Sequence, residues 1–241
     1  ILGNEEAKKI LENTIKTQNI SHSYMFIGQN GIGKFMIAKE FAKAILCQGE
    51  QKPCNTCESC IKFNGENNPD IQIIDEIEEK SIKTETIKEM VKGVYEKPIE
   101  GSRKVYIIND SQKMTKEAQN SLLKTLEEPP EYVVIILITE NENLLLNTIK
   151  SRCTKIKFNP LKDNEIIKIL KEKYDYKEVT ENMLEIAGGS VTQALSVQGK
   201  EEIFNEIKTI FSNLEKINII DLLNKKDLVF KDKDYIYEIL D

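Results

Sequence analysis

The residues from Tyr24 to Leu46 constrain the fold more than any other part of the sequence. They comprise an apolar run, a glycine-rich loop and a helical pattern, in the order YMFI, GQNGIGK and FMIAKEFAKAIL. Gly28, Gly33 and Lys34 match the G-x-x-x-x-G-K pattern of a phosphate-binding loop, in which backbone N–H groups converge on an anion at a helix N-terminus. The alternative is a glycine turn between a strand and a helix that binds no nucleotide. The apolar run before the loop and the helical spacing after it favour the phosphate-binding loop.

The position after the lysine departs from this pattern. A phosphate-binding loop continues with serine or threonine, whose hydroxyl helps to hold Mg²⁺, but this chain has Phe35 there. A phenylalanine side chain offers no atom that ligates a metal. The loop is therefore suited to binding phosphate and poorly suited to catalysis.

The composition bounds the remaining possibilities. A chain of 241 residues with 40% apolar and 31% charged residues is long enough for one sizeable core and a smaller second one. No apolar run approaches the ~20 residues of a membrane-spanning helix, and no signal region opens the sequence, so we expect a cytoplasmic location. The formal net charge of −6 predicts weak intrinsic affinity for nucleic acid, so any role at DNA would be shared with partners.

Four of the five cysteines are crowded together, at Cys47, Cys54, Cys57 and Cys60. Such crowding favours metal binding over disulfides in a cytoplasmic chain, and four thiolates complete a closed tetrahedral Zn²⁺ site. An iron–sulfur cluster is the main alternative, but the ferredoxin pattern requires a fourth cysteine where this chain has Asn64. Metal-free thiols and a catalytic zinc are further alternatives. A catalytic zinc usually includes histidine, and the one histidine is His22, so the sequence predicts structural zinc.

Strand-like and helix-like segments alternate up to residue 158. The predicted strands are residues 24–27, 70–75, 104–108, 132–138 and 155–158, and the predicted helices between them lie at 84–95, about 115–127 and 143–148. An amphipathic helix with Asn4 as its N-cap precedes the first strand. The run 132–138 is continuously apolar, which is typical of the central strand of a parallel sheet covered on both faces. The alternation predicts a doubly wound α/β domain with a five-stranded parallel sheet.

Only helical patterns follow Pro160. Segments 163–174 and 180–187 each begin at a capping residue, and Gly188-Gly189-Ser190 ends one helix and begins another. Three further helical segments follow residue 200. A small helical domain is therefore predicted after the α/β domain.

Several motifs together resemble the bacterial clamp-loader family of AAA+ ATPases, and within it the delta-prime branch. They are the run NSLLKTLEEPP at 120–130, the Ser151-Arg152-Cys153 turn, the four-cysteine cluster and Gly188-Gly189-Ser190. The resemblance covers residues 1 to about 200. It implies a nucleotide-fold domain at 1–158 with the cysteine module at 47–60, a helical lid domain at 159–200 and the start of a helical collar domain at 201–241. We expect that collar to be cut short.

The resemblance also implies a set of nucleotide-binding residues. These are Gly28, Asn30, Gly31, Gly33, Lys34 and Thr139, the last at the sensor position after the fourth strand. Hydrolysing members of the family have Asp-Glu after the third strand, where the aspartate holds Mg²⁺ and the glutamate polarises water, but this chain has Asn109 and Asp110. They also place a lid arginine where this chain has Thr192. Together with Phe35, these departures predict a site degraded for hydrolysis.

The resemblance finally implies a place in an assembly. We expect a subunit of the clamp loader of DNA polymerase III, in a hetero-pentamer with gamma/tau and delta subunits, that helps to load the sliding clamp onto primer–template DNA. Arg152 is expected to serve as a trans arginine finger at a neighbour's γ-phosphate. Zn²⁺ is the expected structural cofactor, while ATP or ADP binding is left open. The alternatives are an active ATPase of the gamma/tau type and a zinc or redox module on an unrelated phosphate-loop fold.

Overall fold

Five parallel strands form one sheet in the computed structural model, which describes residues 1–76 and 79–197. The strand order is β2-β3-β4-β1-β5. The strands are β1 (Ser23–Ile27), β2 (Ile71–Ile74), β3 (Lys104–Ile108), β4 (Val133–Thr139) and β5 (Thr154–Lys157). The α/β class and the parallel five-stranded sheet predicted from the sequence are confirmed.

Helices cover both faces of this sheet and continue after it. They are α1 (Glu5–Thr17), α2 (Lys34–Leu46), α3 (Glu58–Asn64), α4 (Thr84–Val94), α5 (Lys116–Glu127), α6 (Asn147–Lys150), α7 (Asp163–Tyr174), α8 (Glu181–Ala187) and α9 (Val191–Ser196). The last two begin at hydroxyl caps, because Thr180 accepts a hydrogen bond from the Met183 N–H and Ser190 accepts one from the Gln193 N–H. The sequence-based prediction of further helices after residue 200 lies outside the described residues.

The central strand β4 is covered on both faces of the sheet, which is why its sequence is continuously apolar. All seven of its residues are buried, and the six apolar ones alternate between two hydrophobic clusters, one on each face of the sheet. Val134, Ile136 and Ile138 pack with α2 and the later helices, whereas Val133, Ile135 and Leu137 pack with α4 and α5. Burying each such side chain contributes about 1.5–3 kcal/mol to folding. The sheet is therefore a rigid platform for the loops at its edges.

Residues 143–148 do not form the single helix that their pattern predicts. A 3₁₀ turn at Glu142–Leu144 is separated from α6 by an extended Leu145. The reason is the buried side chain of Gln119, whose amide donates to the Leu144 carbonyl at 3.2 Å and accepts from the Leu146 N–H at 2.8 Å. These two bonds take the place of the helical hydrogen bonds between the two pieces.

Asn4 stands at the N-cap position of α1, but its side chain does not cap the helix. Asn4 is in the left-handed conformation with φ 54° and makes no side-chain cap hydrogen bond. Its amide group instead exchanges two hydrogen bonds with the backbone of Asn159, at 2.7 and 3.2 Å. The predicted cap is therefore wrong, and the side chain joins the start of the chain to the segment after β5.

The carboxyl edge of the sheet gathers the residues that bear on nucleotide chemistry. The glycine loop follows β1, Asp75 follows β2, Asn109 follows β3 and Thr139 ends β4. In open parallel sheets, this edge is where ligands bind. Within the described part of the chain, the helices are too short or too polar to cross a bilayer.

Candidate functional site

The glycine loop wraps from the end of β1 to the start of α2. The Gly28 N–H donates to the Thr139 carbonyl of the neighbouring strand at 3.2 Å. Gly31 and Gly33 have φ angles of 72° and 88°, a conformation that residues with side chains rarely adopt. The Asn30 side chain accepts a hydrogen bond from the Gly31 N–H at 2.8 Å. The loop thus has the backbone shape of a phosphate cradle at the N-terminus of a helix of 13 residues.

Lys34 turns its ammonium group back into this loop. Its Nζ donates to the carbonyl oxygens of Gly28 and Gln29, both at 2.6 Å, and the residue is only 6% exposed. Burial lowers the pKa of Lys34, and the carboxylates of Glu140 and Asp110 act in the opposite direction. A phosphate group would have to replace these carbonyls as the partner of the ammonium. Lys34 therefore stabilises the loop itself.

A cavity of about 430 Å³ opens beside the loop. Small-molecule sites typically have volumes of about 300–1,000 Å³. Eight of the residues singled out from the sequence line it: Asn30, Gly31, Gly33, Lys34, Phe35, Asn109, Asp110 and Thr192. Gly28 and Thr139 do not line the cavity. Thr139 is fully buried, and its hydroxyl accepts a hydrogen bond from the Asn141 N–H. The structure thus brings four of the six predicted nucleotide-binding residues to the cavity, together with the four positions that depart from the hydrolysing pattern.

The residues that replace the usual Mg²⁺ ligands have other partners. Asn109 Nδ2 donates to Asp75 Oδ1 at 2.9 Å, and Asp110 forms an ion pair with Lys113 at 3.1 Å. Phe35 is half-buried against the hydrophobic cluster on its face of the sheet. A phenyl ring and a neutral amide now stand where a hydroxyl and a carboxylate hold the metal in a phosphate-binding loop. Neither of these two positions therefore offers Mg²⁺ the hydroxyl or carboxylate oxygen found there in hydrolysing proteins.

The start of α9 packs directly on the glycine loop. The Val191 N–H donates to the Gly31 carbonyl at 3.0 Å, and Gln29 Nε2 donates to the Gly188 carbonyl at 2.9 Å. A Cβ atom added to Gly31 would lie 2.2 Å from Ser190 Oγ. The start of α9 and the turn before it are therefore hydrogen-bonded to the loop, and their close approach leaves no room for a side chain at Gly31.

This contact gives a first testable prediction. Gly31→Ala is expected to lower the free energy of unfolding by about 1–3 kcal/mol, because the methyl group overpacks against Ser190 and forces α9 away from the loop. Urea unfolding gives the stability, and amide exchange of the Val191 N–H reports the lost contact.

Gly33→Ala is the matched control for that substitution. Gly33 also has a left-handed φ angle, but the nearest atom to an added Cβ is Ile1 Cγ2 at 4.0 Å. Gly33→Ala therefore introduces the same kind of backbone strain as Gly31→Ala but no steric clash with a neighbouring residue. Equal effects of Gly31→Ala and Gly33→Ala on stability and on exchange at Val191 would contradict the close packing of the helical segment.

The four clustered cysteines converge on one point. Their Sγ atoms all lie within 4.8 Å of one another, with 3.9 Å between Cys47 and Cys57 and 4.0 Å between Cys54 and Cys60. A tetrahedral Zn²⁺ with Zn–S bonds of ~2.3 Å separates its sulfurs by about 3.8 Å. A disulfide would bring two sulfurs to about 2.05 Å. These spacings fit a metal ion held by four thiolates.

Backbone N–H groups support the sulfur atoms, as is usual around metal-binding thiolates. Cys47 Sγ accepts from the Cys54 N–H and Cys54 Sγ accepts from the Cys57 N–H, each at 3.3 Å. Hydrogen bonds from the Thr56 and Cys57 backbone lower the pKa of Cys54 to about 5, whereas burial raises the pKa of Cys60 to about 12. A bound cation would favour the thiolate form of all four. The donor set therefore fits a closed structural metal site.

Arg152 lies at the amino ends of the parallel strands, whereas the glycine loop lies at their carboxyl ends. Its carbonyl accepts a hydrogen bond from Ser23 Oγ at 2.6 Å, and Ser23 is the first residue of β1. The glycine loop begins after Ile27 at the far end of β1, about 13 Å away at ~3.3 Å per residue. The Arg152 side chain is 33% exposed. Its position suits a contact with another molecule better than one with this chain's own cavity.

Three residues at these sites were missed by the sequence analysis: Asp75, Gln29 and Glu127. Asp75 had a usable signal, because it directly follows a strand and the carboxyl ends of parallel strands share one edge. Gln29 is the loop residue that reaches the Gly188 turn. Glu127 forms an ion pair with Arg152 at 2.8 Å, and no local pattern reveals a contact between residues so far apart in sequence.

Known proteins share this combination of fold and motifs. The chain is 38% identical to the delta′ subunit of DNA polymerase III from Bacillus subtilis over 159 residues, which are 66% of this chain and 48% of that relative. It is 34% identical to the gamma/tau subunit from Mycoplasma pneumoniae over 223 residues, which are 89% of this chain and 32% of that relative. The chain thus spans less than half the length of either relative.

Solved structures of low sequence identity share the fold. A DNA polymerase III gamma subunit-related protein from Thermotoga maritima has 23% identity and a TM-score of 0.50, covering 89% of this chain and 65% of its own. The RuvB Holliday junction branch migration motor from Thermotoga maritima has 15% identity and a TM-score of 0.50. The alignment covers 96% of this chain and 71% of RuvB. A family model described as "DNA polymerase III, delta subunit" matches residues 3–162. Because that match spans more than half of the sequence, the chain belongs to this family of clamp-loader subunits.

Proposed function

We propose that the chain is a clamp-loader subunit that organises a ring of ATPases without itself hydrolysing ATP. The observation that carries this proposal is the separation between its two nucleotide-related features. The cavity beside the glycine loop lacks the usual Mg²⁺ ligands at Phe35 and Asn109, whereas Arg152 is presented at the opposite edge of the sheet. A subunit with a weakened site and a retained, outward-placed arginine is suited to serve a neighbour's nucleotide.

The partners in this proposal are gamma/tau and delta subunits of a hetero-pentamer in the cytoplasm. The assembly would open the sliding clamp and place it on primer–template DNA with energy from ATP hydrolysed by the neighbours. The net charge of −6 supports an indirect role at DNA, since an acidic chain gains little from the phosphate backbone by itself. Identity to both delta′ and gamma/tau subunits supports this assembly.

Arg152 would supply the chemistry at the subunit boundary. A guanidinium is planar and permanently charged, and it can donate two parallel hydrogen bonds to phosphate oxygens. Placed at a neighbour's γ-phosphate, it would stabilise the charge that develops during phosphoryl transfer. The glycine loop of this chain would contribute nothing to that step.

Two bound groups belong to the proposal. Cys47, Cys54, Cys57 and Cys60 would hold one structural Zn²⁺. The glycine loop and Lys34 would still accept the phosphates of ATP or ADP, provided that the Lys34 ammonium exchanges its carbonyl partners for phosphate oxygens.

The division into domains is also a proposal. Residues 1–158 would form the nucleotide-fold domain and residues 159–200 the lid, which is consistent with α7, α8 and α9 following the sheet. Residues 201–241 would begin the collar, and that segment lies outside the described residues.

An active ATPase of the gamma/tau type is the second candidate function. The match to a gamma/tau subunit over 89% of the chain favours it. Phe35, Asn109 and Thr192 argue against it, because each removes a group that contacts Mg²⁺ or the γ-phosphate in hydrolysing members.

ATP turnover by the purified chain separates the two candidates. We expect the wild-type chain to hydrolyse ATP no faster than Lys34→Ala, because Mg²⁺ lacks its hydroxyl and carboxylate ligands in both. Steady-state phosphate release with and without Mg²⁺ is the measurement. Turnover that is present in the wild type and lost in Lys34→Ala would establish the motor function instead.

A further inference from the structure

The Arg152 side chain is held at both of its terminal nitrogens. Nη1 donates to the Thr148 carbonyl at 2.8 Å and to Ser151 Oγ at 3.3 Å. Nη2 forms an ion pair with Glu127 Oε1 at 2.8 Å. A guanidinium carries five N–H donors, which is more than these contacts use. Donors therefore remain for an external anion while the group is held in place.

The backbone of Arg152 is fixed as firmly as its side chain. Its N–H donates to the Ile149 carbonyl at 3.1 Å, and its carbonyl accepts from the fully buried Ser23 Oγ at 2.6 Å. Only the rotations within the side chain remain free to move the guanidinium. The Thr148 carbonyl and the Glu127 carboxylate, one on each terminal nitrogen, restrict those rotations.

Glu127 reaches this place because two helices share a core. It is the last residue of α5, and Arg152 follows α6 after one residue. Leu126 beside Glu127 and Ile149 in α6 are both buried in the same hydrophobic cluster. The packing of the two helices therefore brings the two side chains within reach of each other.

Stability does not explain this ion pair. The Arg152 and Glu127 side chains are 33% and 46% exposed, and pairs this accessible contribute only about 0–1 kcal/mol to folding. Removing the carboxylate should leave the fold intact. The carboxylate instead orients the guanidinium, because a charge-assisted hydrogen bond fixes the plane of that group.

We propose that Glu127 is a positioning residue that holds the Arg152 guanidinium ready for an anionic phosphate on an adjoining subunit. This inference rests on the proposed trans role of Arg152. The ligand class is the terminal phosphate of a nucleoside triphosphate. Glu127 touches neither that phosphate nor the reacting atoms and acts through Arg152 alone.

The test in the assembly is a double-mutant cycle in the reconstituted complex with its partner ATPase subunits. Glu127→Ala should lower kcat of the stimulated ATPase by about 10- to 100-fold with KM unchanged, as expected for a misplaced catalytic group. Added to Arg152→Ala, it should slow the complex no further. Glu128→Ala, which makes the same change at the neighbouring exposed carboxylate, is the matched control and should leave kcat unchanged.

The outcomes distinguish this inference from the function on which it rests. If Arg152→Ala slows hydrolysis and Glu127→Ala does not, the positioning role of Glu127 is overturned while the finger stands. Additive losses in the double mutant would make Glu127 a structural residue and overturn the inference equally. If Arg152→Ala has no effect, the trans finger itself fails, and the role of Glu127 fails with it.

A second readout needs only the isolated chain. The sequence contains two arginines, Arg103 and Arg152, so their side-chain ¹⁵N signals can be assigned with Arg103→Lys. Glu127→Gln should accelerate rotation of the Arg152 guanidinium about its Cζ–Nε bond and leave the Arg103 signal unchanged. Unchanged rotation of Arg152 would show that Glu127 does not hold it.

Discussion

Replacing Arg152 by alanine is expected to slow hydrolysis at the nucleotide site that it serves by about 10³- to 10⁵-fold, the range found for arginine fingers. In the reconstituted clamp loader, this loss would appear as depressed DNA- and clamp-stimulated ATPase and as slow clamp loading. The mutant chain itself should fold and assemble normally, since the side chain is 33% exposed and its ion pair adds little stability.

Two substitutions sharpen this expectation. Arg152→Lys should restore little activity, because an ammonium keeps the charge but loses the planar fork that matches two phosphate oxygens. Arg103→Ala is the matched control. Arg103 directly precedes β3, so it lies at the same end of the parallel strands as Arg152. Strands β4 and β1 separate β3 from β5, which keeps the two arginines apart. Wild-type loading rates with both Arg152 variants would show that Arg152 is not a trans-acting finger.

Removing one cluster thiol is expected to abolish metal binding by the cysteine module. The wild-type chain should contain about one zinc and show no visible absorbance band. Cys54→Ser should contain none, because four-thiolate sites depend on every ligand. Structural zinc in peptides contributes about 10–16 kcal/mol at neutral pH, so residues 47–64 should lose their protection from amide exchange. Elemental analysis and hydrogen exchange measure the two effects.

The fifth cysteine is the control for that experiment. Cys153 lies outside the cluster, and burial raises its pKa to about 11, so it remains a protonated thiol at neutral pH. Cys153→Ser should therefore keep the full zinc content. The sheet should survive the loss of zinc, because β4 and its two hydrophobic clusters are built from other residues. A brown wild-type protein that contains iron and sulfide would contradict the zinc assignment.

The sequence predicted those elements whose pattern is local. The strand bounds deviate by no more than one residue, since each strand is an apolar run between turn signals. The prediction of one helix at 143–148 was wrong because the side chain of Gln119, more than twenty residues earlier, hydrogen-bonds to the backbone there and interrupts the helix. The alternation of apolar residues in that segment carried no trace of that contact. The Asn4 cap failed similarly, since a distant backbone competed successfully for the amide.

The candidate site was predictable in composition and not in geometry. The glycine pattern identified the loop. That Phe35 and Asn109 weaken it for hydrolysis stays a prediction. That Lys34 would bond its own loop, and that α9 would close on Gly31, required the three-dimensional arrangement. The contact of Arg152 with Ser23 at the start of β1 likewise depends on β5 lying next to β1, an order of strands that the sequence did not reveal.

The rate of clamp loading by a complex that carries Lys34→Ala in this chain shows whether the complex needs ATP hydrolysis by this subunit. Lys34 matches the lysine that reaches the β- and γ-phosphates in a phosphate-binding loop, and here it bonds the carbonyls of its own loop. If the chain organises the ring and hydrolyses nothing, the Lys34→Ala complex should load clamps at the wild-type rate while the Arg152→Ala complex is slow. A Lys34→Ala complex that assembles fully but fails to load clamps would show that this subunit does more than organise the ring.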